Sequence, residues 1–218
     1  MIRGAIFDAD GTLLDSMPVW DTLAEDYLRS LGIEPAEKLS ERFRSFSLEQ
    51  SAAYYRTVYR VSLRTEEIVD GVKRMLAAFY RERAPLKPGA AEFLRELREN
   101  GIGLCIATAT DRKLIEAALS RLGLSELFSG IFTCASVGKS KEEPDIYRAA
   151  QERLGTDKKD TWVFEDAYHA AETAKRDGFS VAAVFDPSEK RQEQLCRISD
   201  VYIRAFREWL PFRAESFC

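Results

Sequence analysis

The sequence predicts an α/β protein: a parallel sheet with helices on both faces, interrupted early by an inserted all-helical unit. Three observations carry this reading. From Ile102 onward, short apolar runs alternate with amphipathic helical stretches, the pattern of parallel strands joined by crossover helices. Between Ser16 and Pro85 the apolar residues recur at helical spacing and no strand signal appears. Ahead of both, the apolar run Ala5-Ile6-Phe7 reads as a buried strand that delivers Asp8 and Asp10 and then turns on Gly11.

Taken in order, that first strand opens the chain. After it, Val19, Trp20, Leu23, Ala24, Tyr27, Leu28 and Leu31 recur at 3.6-residue spacing and Gly32 stops the helix. The segment Leu39 to Phe46 fits either a short helix or a loop. Ser47-x-x-Gln50 has the form of a capping box and opens a helix carrying Ala52, Ala53, Tyr55 and Tyr59. Thr65, with Glu66 and Glu67 behind it, opens another, apolar at Ile68, Val69, Val72, Met75, Leu76, Phe79 and Tyr80. Linkers bound this unit at Leu14 to Pro18 and at Ala84 to Gly89, the second rich in Pro and Gly. The expected division is a core of residues 1–15 and 86–218 and a helical cap of residues 16–85.

The core then runs as helix Ala90–Asn100, strand Ile102–Thr108, helix Asp111–Leu122, strand Ile131–Val137 and helix Pro144–Leu154. Strand Trp162–Glu165, helix Ala167–Asp177 and strand Val181–Phe185 follow, then a helix over Glu189–Cys196 and a last short strand, Val201–Ile203. Pro211 to Cys218 reads as a loosely held tail. The whole is a Rossmann-like core with one insertion.

A chain of 218 residues buries one good core plus a small appended unit. Lys and Arg number 32 against 36 Asp and Glu, with both signs interspersed, so no basic run points to nucleic acid. No apolar stretch approaches the length of a membrane span, and Met1-Ile2-Arg3-Gly4 enters the first strand without room for a signal peptide. The expected location is the cytoplasm, the expected state a monomer. Cys105, Cys134, Cys196 and Cys218 show no metal-ligand spacing; Cys105 and Cys134 lie in apolar runs and read as small core residues.

Asp8 and Asp10 sit where an open α/β sheet builds its site, beyond the carboxyl end of a strand. Two close carboxylates repel, and a hard divalent cation with oxygen ligands, Mg²⁺, relieves that repulsion. One carboxylate can attack phosphorus while its neighbour serves as general acid and base. Asp-x-Asp-Gly is also what an ordinary turn after a strand looks like. The other strand tips supply further groups. Thr108 ends an apolar strand ahead of a helix, where a hydroxyl and backbone N–H groups such as that of Ala109 suit a phosphate; Thr110 or Asp111 equally caps that helix. Lys139 and Lys141 offer a cation for phosphoryl oxygens. Glu165 and Asp166 end a buried strand, where idle acids would be costly.

The stretch Asp8-Ala9-Asp10-Gly11-Thr12-Leu13-Leu14-Asp15-Ser16 resembles the first motif of the haloacid dehalogenase superfamily, and three more motifs follow in the family's order. Thr108 matches the second. Lys141, three residues before Pro144-Asp145, matches the third, with Glu142 where the family commonly has Pro. Glu165-Asp166-Ala167 matches the fourth, although Ala170 stands where Gly is usual. The resemblance spans essentially the whole chain. It implies Asp8 as nucleophile, Asp10 as acid/base and phosphoryl transfer rather than dehalogenation, because dehalogenases of the superfamily lack the second Asp. It implies Thr108, Ala109 and Lys141 as phosphate contacts. It implies Asp8, Asp10 and Asp166 as Mg²⁺ ligands, with Glu165 behind them or acting through water. A helical cap between the first and second motifs is the arrangement of β-phosphoglucomutase-like and phosphoglycolate phosphatase-like members.

The expected activity is Mg²⁺-dependent hydrolysis of a small phosphorylated metabolite, without nucleic-acid or membrane partners. A phosphosugar mutase using the same residues is the first rival; a catalytically silent phospholigand-binding protein is the second, which loss of Asp8, Asp10 or Lys141 would have favoured. Mutase-like sequences carry a His shortly after the first motif and a Gly-x-x-Arg type of loop in the cap. Here Met17-Pro18-Val19-Trp20-Asp21 follows Ser16, and Arg42 to Glu49 contains no Gly. The single histidine, His169, lies at a position expected to be peripheral. Trp20 is expected to pack in a core, with an apolar wall to the leaving group as its alternative role, and Arg42 and Arg44 are either substrate contacts or solvated surface.

Overall fold

The computed structural model describes residues 2–36, 38–43 and 46–210. The chain divides into two compact units, Met1–Asp15 with Ala84–Cys218, and Ser16–Arg83. Arg44 and the expected tail from Pro211 lie outside the described residues.

The second unit is helical: α1 (Met17–Ser30), α2 (Leu39–Phe43), α3 (Leu48–Val58) and α4 (Thr65–Glu82). The ambiguous segment after Leu39 therefore begins as a short helix. Its start is held by Glu25 of α1, whose carboxylate accepts from the Ser40 N–H at 3.0 Å. The capping box of α3 is present in both directions: Ser47 Oγ accepts from the Gln50 N–H at 3.2 Å, and Gln50 Oε1 accepts from the Ser47 N–H at 2.7 Å. The interior is aromatic, with Tyr55 against Tyr27 and Phe43 at ring separations of 5.6 and 5.2 Å. Trp20 departs from expectation. It is 38% exposed and lines a cavity of about 320 Å³ with Leu23, Phe43, Phe46, Tyr55 and Val72. The α1 stripe that reaches the interior is Ala24, Tyr27 and Leu28; Trp20 sits at its margin.

The first unit carries six parallel strands, β1 (Gly4–Phe7), β2 (Gly103–Thr108), β3 (Gly130–Thr133), β4 (Thr161–Glu165), β5 (Ser180–Val184) and β6 (Val201–Ile203), in the order β3-β2-β1-β4-β5-β6. Helices α5 (Ala90–Glu99), α6 (Arg112–Leu122), α7 (Cys134–Val137), α8 (Asp145–Leu154), α9 (Tyr168–Arg176) and α10 (Gln192–Ile198) connect them. Strand alternation divides the core. Phe7 stacks on Phe164 at 4.2 Å and meets Phe93 edge-on, whereas Ile6, Cys105 and Val163 join Ile146, Tyr147 and Phe179 in a cluster.

Beyond shifts of a residue at element ends, two elements differ from their expected bounds. The strand expected over Ile131–Val137 ends at Thr133, because Thr133 and Ser136 cap each other's backbone N–H and start the short α7. Cys134 is thus a half-buried helical residue, while Cys105 lies fully inside β2. The helix expected from Glu189 begins at Gln192, because the Glu189 side chain accepts from the N–H groups of Tyr168 and Arg191 instead.

Candidate active site

β1 is the strand at which the order reverses, with β2 on one side and β4 on the other, and ligands of open α/β sheets bind beyond the carboxyl ends at such a point. Register brings the tips level. Phe7 pairs with Phe164, so the next residues, Asp8 and Glu165, leave neighbouring strands side by side, and the Asp8 N–H donates to the Phe164 carbonyl at 2.9 Å. Asp166 follows. The carboxylates of Asp8, Glu165 and Asp166 offer oxygens within 4.8 Å of one another, all three residues buried.

One cation enters this cluster. Lys141 is buried, and its ammonium donates to Asp8 Oδ1 and, at 2.6 Å, to Glu165 Oε1. Lys139, the alternative read from sequence, is exposed. Burial pushes the Asp8 carboxyl well above its usual range; Lys141 opposes this, and Glu165, Asp166 and Asp10 reinforce it. Burial alone would push the Lys141 ammonium down, but Asp8 and Glu165 outweigh it and hold the amine above its ordinary value. Asp166 is pushed up to about 7, by burial first and then by Glu165, against a hydrogen bond from Thr12.

The loop after β1 is shaped around Asp166. Thr12 Oγ1 donates to Asp166 Oδ1 at 2.9 Å. Gly11 has φ +80°, and a Cβ there would lie 2.3 Å from Asp166 Oδ2, so both backbone and space demand glycine. Asp10 lies near enough to raise Asp8 electrostatically, and its Oδ2 accepts from Thr110 Oγ1 at 2.7 Å. Thr108 is buried at the tip of β2, and its Oγ1 accepts from the Thr110 N–H at 3.1 Å. Ala109 follows, exposed. Asp111 caps α6, its carboxylate accepting from the Lys113 N–H at 2.8 Å.

Excess negative charge and an orphaned oxygen test whether a cation fits. Glu165 Oε1 takes two donors, Lys141 and Tyr147, whereas buried Oε2 has no hydrogen-bond partner among the described residues. A buried carboxylate oxygen beside two further carboxylates is a hard-oxygen donor set suited to a divalent cation. Glu165 is grouped with Asp8 and Asp166 by this geometry, which is open to a direct or a water-mediated role for it.

The remaining candidates lie elsewhere. His169 is exposed on α9. The Arg42 guanidinium sits 5.2 Å over the Tyr54 ring. Sequence reasoning missed Tyr147, whose phenol donates to Glu165 Oε1 at 2.9 Å, and read Thr110 only as a helix cap. It also missed the pair of half-buried Lys87 with buried Asp186 at 2.9 Å, just beyond β5. An acid directly after the apolar run Val181–Phe185 was the available signal for Asp186; nothing in the pattern separates Tyr147 from an ordinary core aromatic.

Residues 2–178 match the family model of haloacid dehalogenase-like hydrolases. Hexitol phosphatase B of Escherichia coli (strain K12) is 28% identical over 80% of this chain and 79% of its own length. A Drosophila melanogaster protein assigned as a pseudouridine-5'-phosphatase is 30% identical over 85% of this chain and 83% of its own. Among solved structures, a Thermotoga maritima protein assigned as a β-phosphoglucomutase superposes with a TM-score of 0.84 at 25% identity, covering 98% of this chain and 99% of its own.

Proposed function

This chain belongs to the haloacid dehalogenase-like hydrolases, and from that footing we propose that it is a Mg²⁺-dependent phosphatase acting on a small-molecule phosphate monoester. The observation that carries the reading is the carboxyl-edge constellation: Asp8 held by Lys141, with Glu165 and Asp166 around it and Asp10 alongside.

Asp8 is the nucleophile. Its carboxylate oxygen attacks phosphorus, the bond from phosphorus to the ester oxygen breaks, and Asp10 delivers its proton to the departing oxygen. Asp10, now a carboxylate, takes a proton from water as that water attacks the aspartyl-phosphate. The Asp8 carboxylate leaves, and inorganic phosphate is the product. The Thr110 hydroxyl fixes the orientation of Asp10. Because Thr108 Oγ1 accepts from the backbone, its own proton can be given to a phosphoryl oxygen; the Ala109 N–H and the Lys141 ammonium add further positive character there. Asp8, Glu165 and Asp166 would hold Mg²⁺, with Asp10 at its edge, and the ion supplies positive charge for the phosphoryl oxygens. The helical unit selects the leaving group, and the protein works as a cytoplasmic monomer.

Hydrolysis of p-nitrophenyl phosphate with and without Mg²⁺ tests the reading. Mg²⁺-dependent release of phosphate is expected; none with either Mg²⁺ or Mn²⁺ would favour a silent ligand-binding protein. The likeness to a protein assigned as a β-phosphoglucomutase gives a mutase reading its own standing. Against it, no His follows Ser16 in the sequence up to Tyr168, and His169 is exposed on α9. With β-glucose 1-phosphate primed by glucose 1,6-bisphosphate, free phosphate is expected to form faster than glucose 6-phosphate. The opposite order promotes the mutase.

A further inference from the structure

α8 begins with Pro144-Asp145-Ile146-Tyr147 and follows the loop that delivers Lys141, so one short segment brings two donors to one acceptor. The Tyr147 phenol donates to Glu165 Oε1 at 2.9 Å, and Lys141 Nζ donates to the same oxygen at 2.6 Å. The second oxygen, Oε2, has no hydrogen-bond partner among the described residues, inside a fully buried side chain. The phenol has one proton and a second acceptor, the Ala170 carbonyl, but at 3.4 Å; the shorter bond goes to Glu165.

We propose that Tyr147 is a positioning residue for the cation site: by engaging Oε1 it fixes the Glu165 carboxylate so that Oε2 is the oxygen presented to Asp8 and Asp166. The proposal rests on the cation reading above and concerns what sets the site's shape. Two features support it. The ring is immobilised, fully buried in the core cluster, with Phe179 at 6.3 Å and 62°. A Glu side chain has three rotatable bonds, so a carboxylate held by Lys141 alone could pivot about that contact; two donors on Oε1 remove the freedom. Partners that orient metal-holding side chains in this way commonly change metal affinity by about 10–100-fold.

A purely structural account is available, since a buried tyrosine needs some acceptor for its hydroxyl. The two accounts separate by measurement. Mg²⁺ affinity of the full chain is determined by isothermal titration calorimetry for wild type, Tyr147→Phe, Glu165→Gln and the double variant, alongside thermal melts without metal. Tyr147→Phe keeps the ring and its packing. It is expected to weaken Mg²⁺ about tenfold, whereas in the Glu165→Gln background the same change is expected to alter affinity less than about twofold, the signature of two residues acting through one contact. A Tyr147→Phe affinity within about twofold of wild type, or an equal loss in both backgrounds, overturns the proposal and leaves the phosphatase reading intact. A wild-type protein that binds neither Mg²⁺ nor Mn²⁺ overturns both.

Discussion

At the carboxyl edge of the sheet, the buried side chains are charged and tightly partnered: Asp8, Lys141 and Glu165 share contacts, and Thr12 and Thr110 orient Asp166 and Asp10. In the helical unit, the described residues that wall the cavity beside Trp20, Leu23, Phe43, Phe46 and Val72 among them, include no carboxylate, ammonium or guanidinium. The edge holds repulsion in place, because burial and neighbouring acids keep Asp8 and Asp166 reluctant to ionise. The cavity stores nothing of the kind; its walls specify shape. Substitutions at the edge should therefore register in rate and cation affinity, and substitutions in the helical unit in stability.

The largest effect belongs to Asp8→Asn. An amide of the same shape keeps a hydrogen-bond acceptor for Lys141 but cannot form the aspartyl-phosphate. Turnover of p-nitrophenyl phosphate should fall below about a hundredth of wild type while circular dichroism is unchanged. A variant retaining more than that share would remove Asp8 from the nucleophile's role and erase the distinction drawn for the edge.

Asp166→Asn sharpens the comparison because it should move affinity and stability in opposite directions. The Asp166 carboxyl is held near pH 7 against an ordinary value of 3.8, so above about pH 7 the folded, metal-free protein carries the full cost of ionising it, and at pH 4 almost none. Asn removes that cost and still accepts from Thr12. Without metal, the variant should melt several degrees above wild type at pH 8, at roughly 2–4 °C per kcal/mol for a chain of this size, with the advantage shrinking toward pH 5. Added Mg²⁺ should reverse the ranking, because only wild type gains binding energy. Differential scanning calorimetry with and without Mg²⁺ reads both; a lower melting temperature in the metal-free variant at pH 8 would show that Asp166 is not strained.

Much of this edge was legible beforehand, for a physical reason. Apolar strands ending in Asp8, Thr108 and Glu165 announce themselves, since charge at the end of a buried run is costly unless used. Lys141 was separable from Lys139 only through its spacing to Pro144; in the structure Lys141 is buried and Lys139 exposed. What the pattern could not carry was partnership across the chain. The hydroxyl of Thr110 on Asp10 spans 100 residues and that of Thr12 on Asp166 spans 154, and such pairings exist only once strand order is fixed. The end of β3 at Thr133 was hidden differently: Cys134 and Val137 are as apolar as a strand requires, and only the Thr133–Ser136 exchange turns the chain into a helix. Trp20 shows the limit of periodicity, which placed it on a face without saying how deep that face goes.

The smallest effects test the helical half, where intuition about residue size should fail. Trp20 is the larger side chain, yet it is 38% exposed at the cavity rim. Gly71 lies inside α4, where alanine would ordinarily gain about 0.8–1 kcal/mol in helix propensity. A Cβ at Gly71, however, would meet the Tyr27 ring at 2.6 Å. That ring is 3% exposed and backed by Tyr55 at 5.6 Å, so yielding to the added methyl would disturb the packing around it. Overpacking of this kind costs about 1–3 kcal/mol, which outweighs the propensity gain. Gly71→Ala should therefore lower stability by about 1–2 kcal/mol, and Trp20→Ala by no more than about 0.5 kcal/mol. Urea midpoints of the two variants against wild type decide it. Should Trp20→Ala prove the more damaging, Trp20 is a structural wall after all, and the cavity it borders belongs to the core of the helical unit.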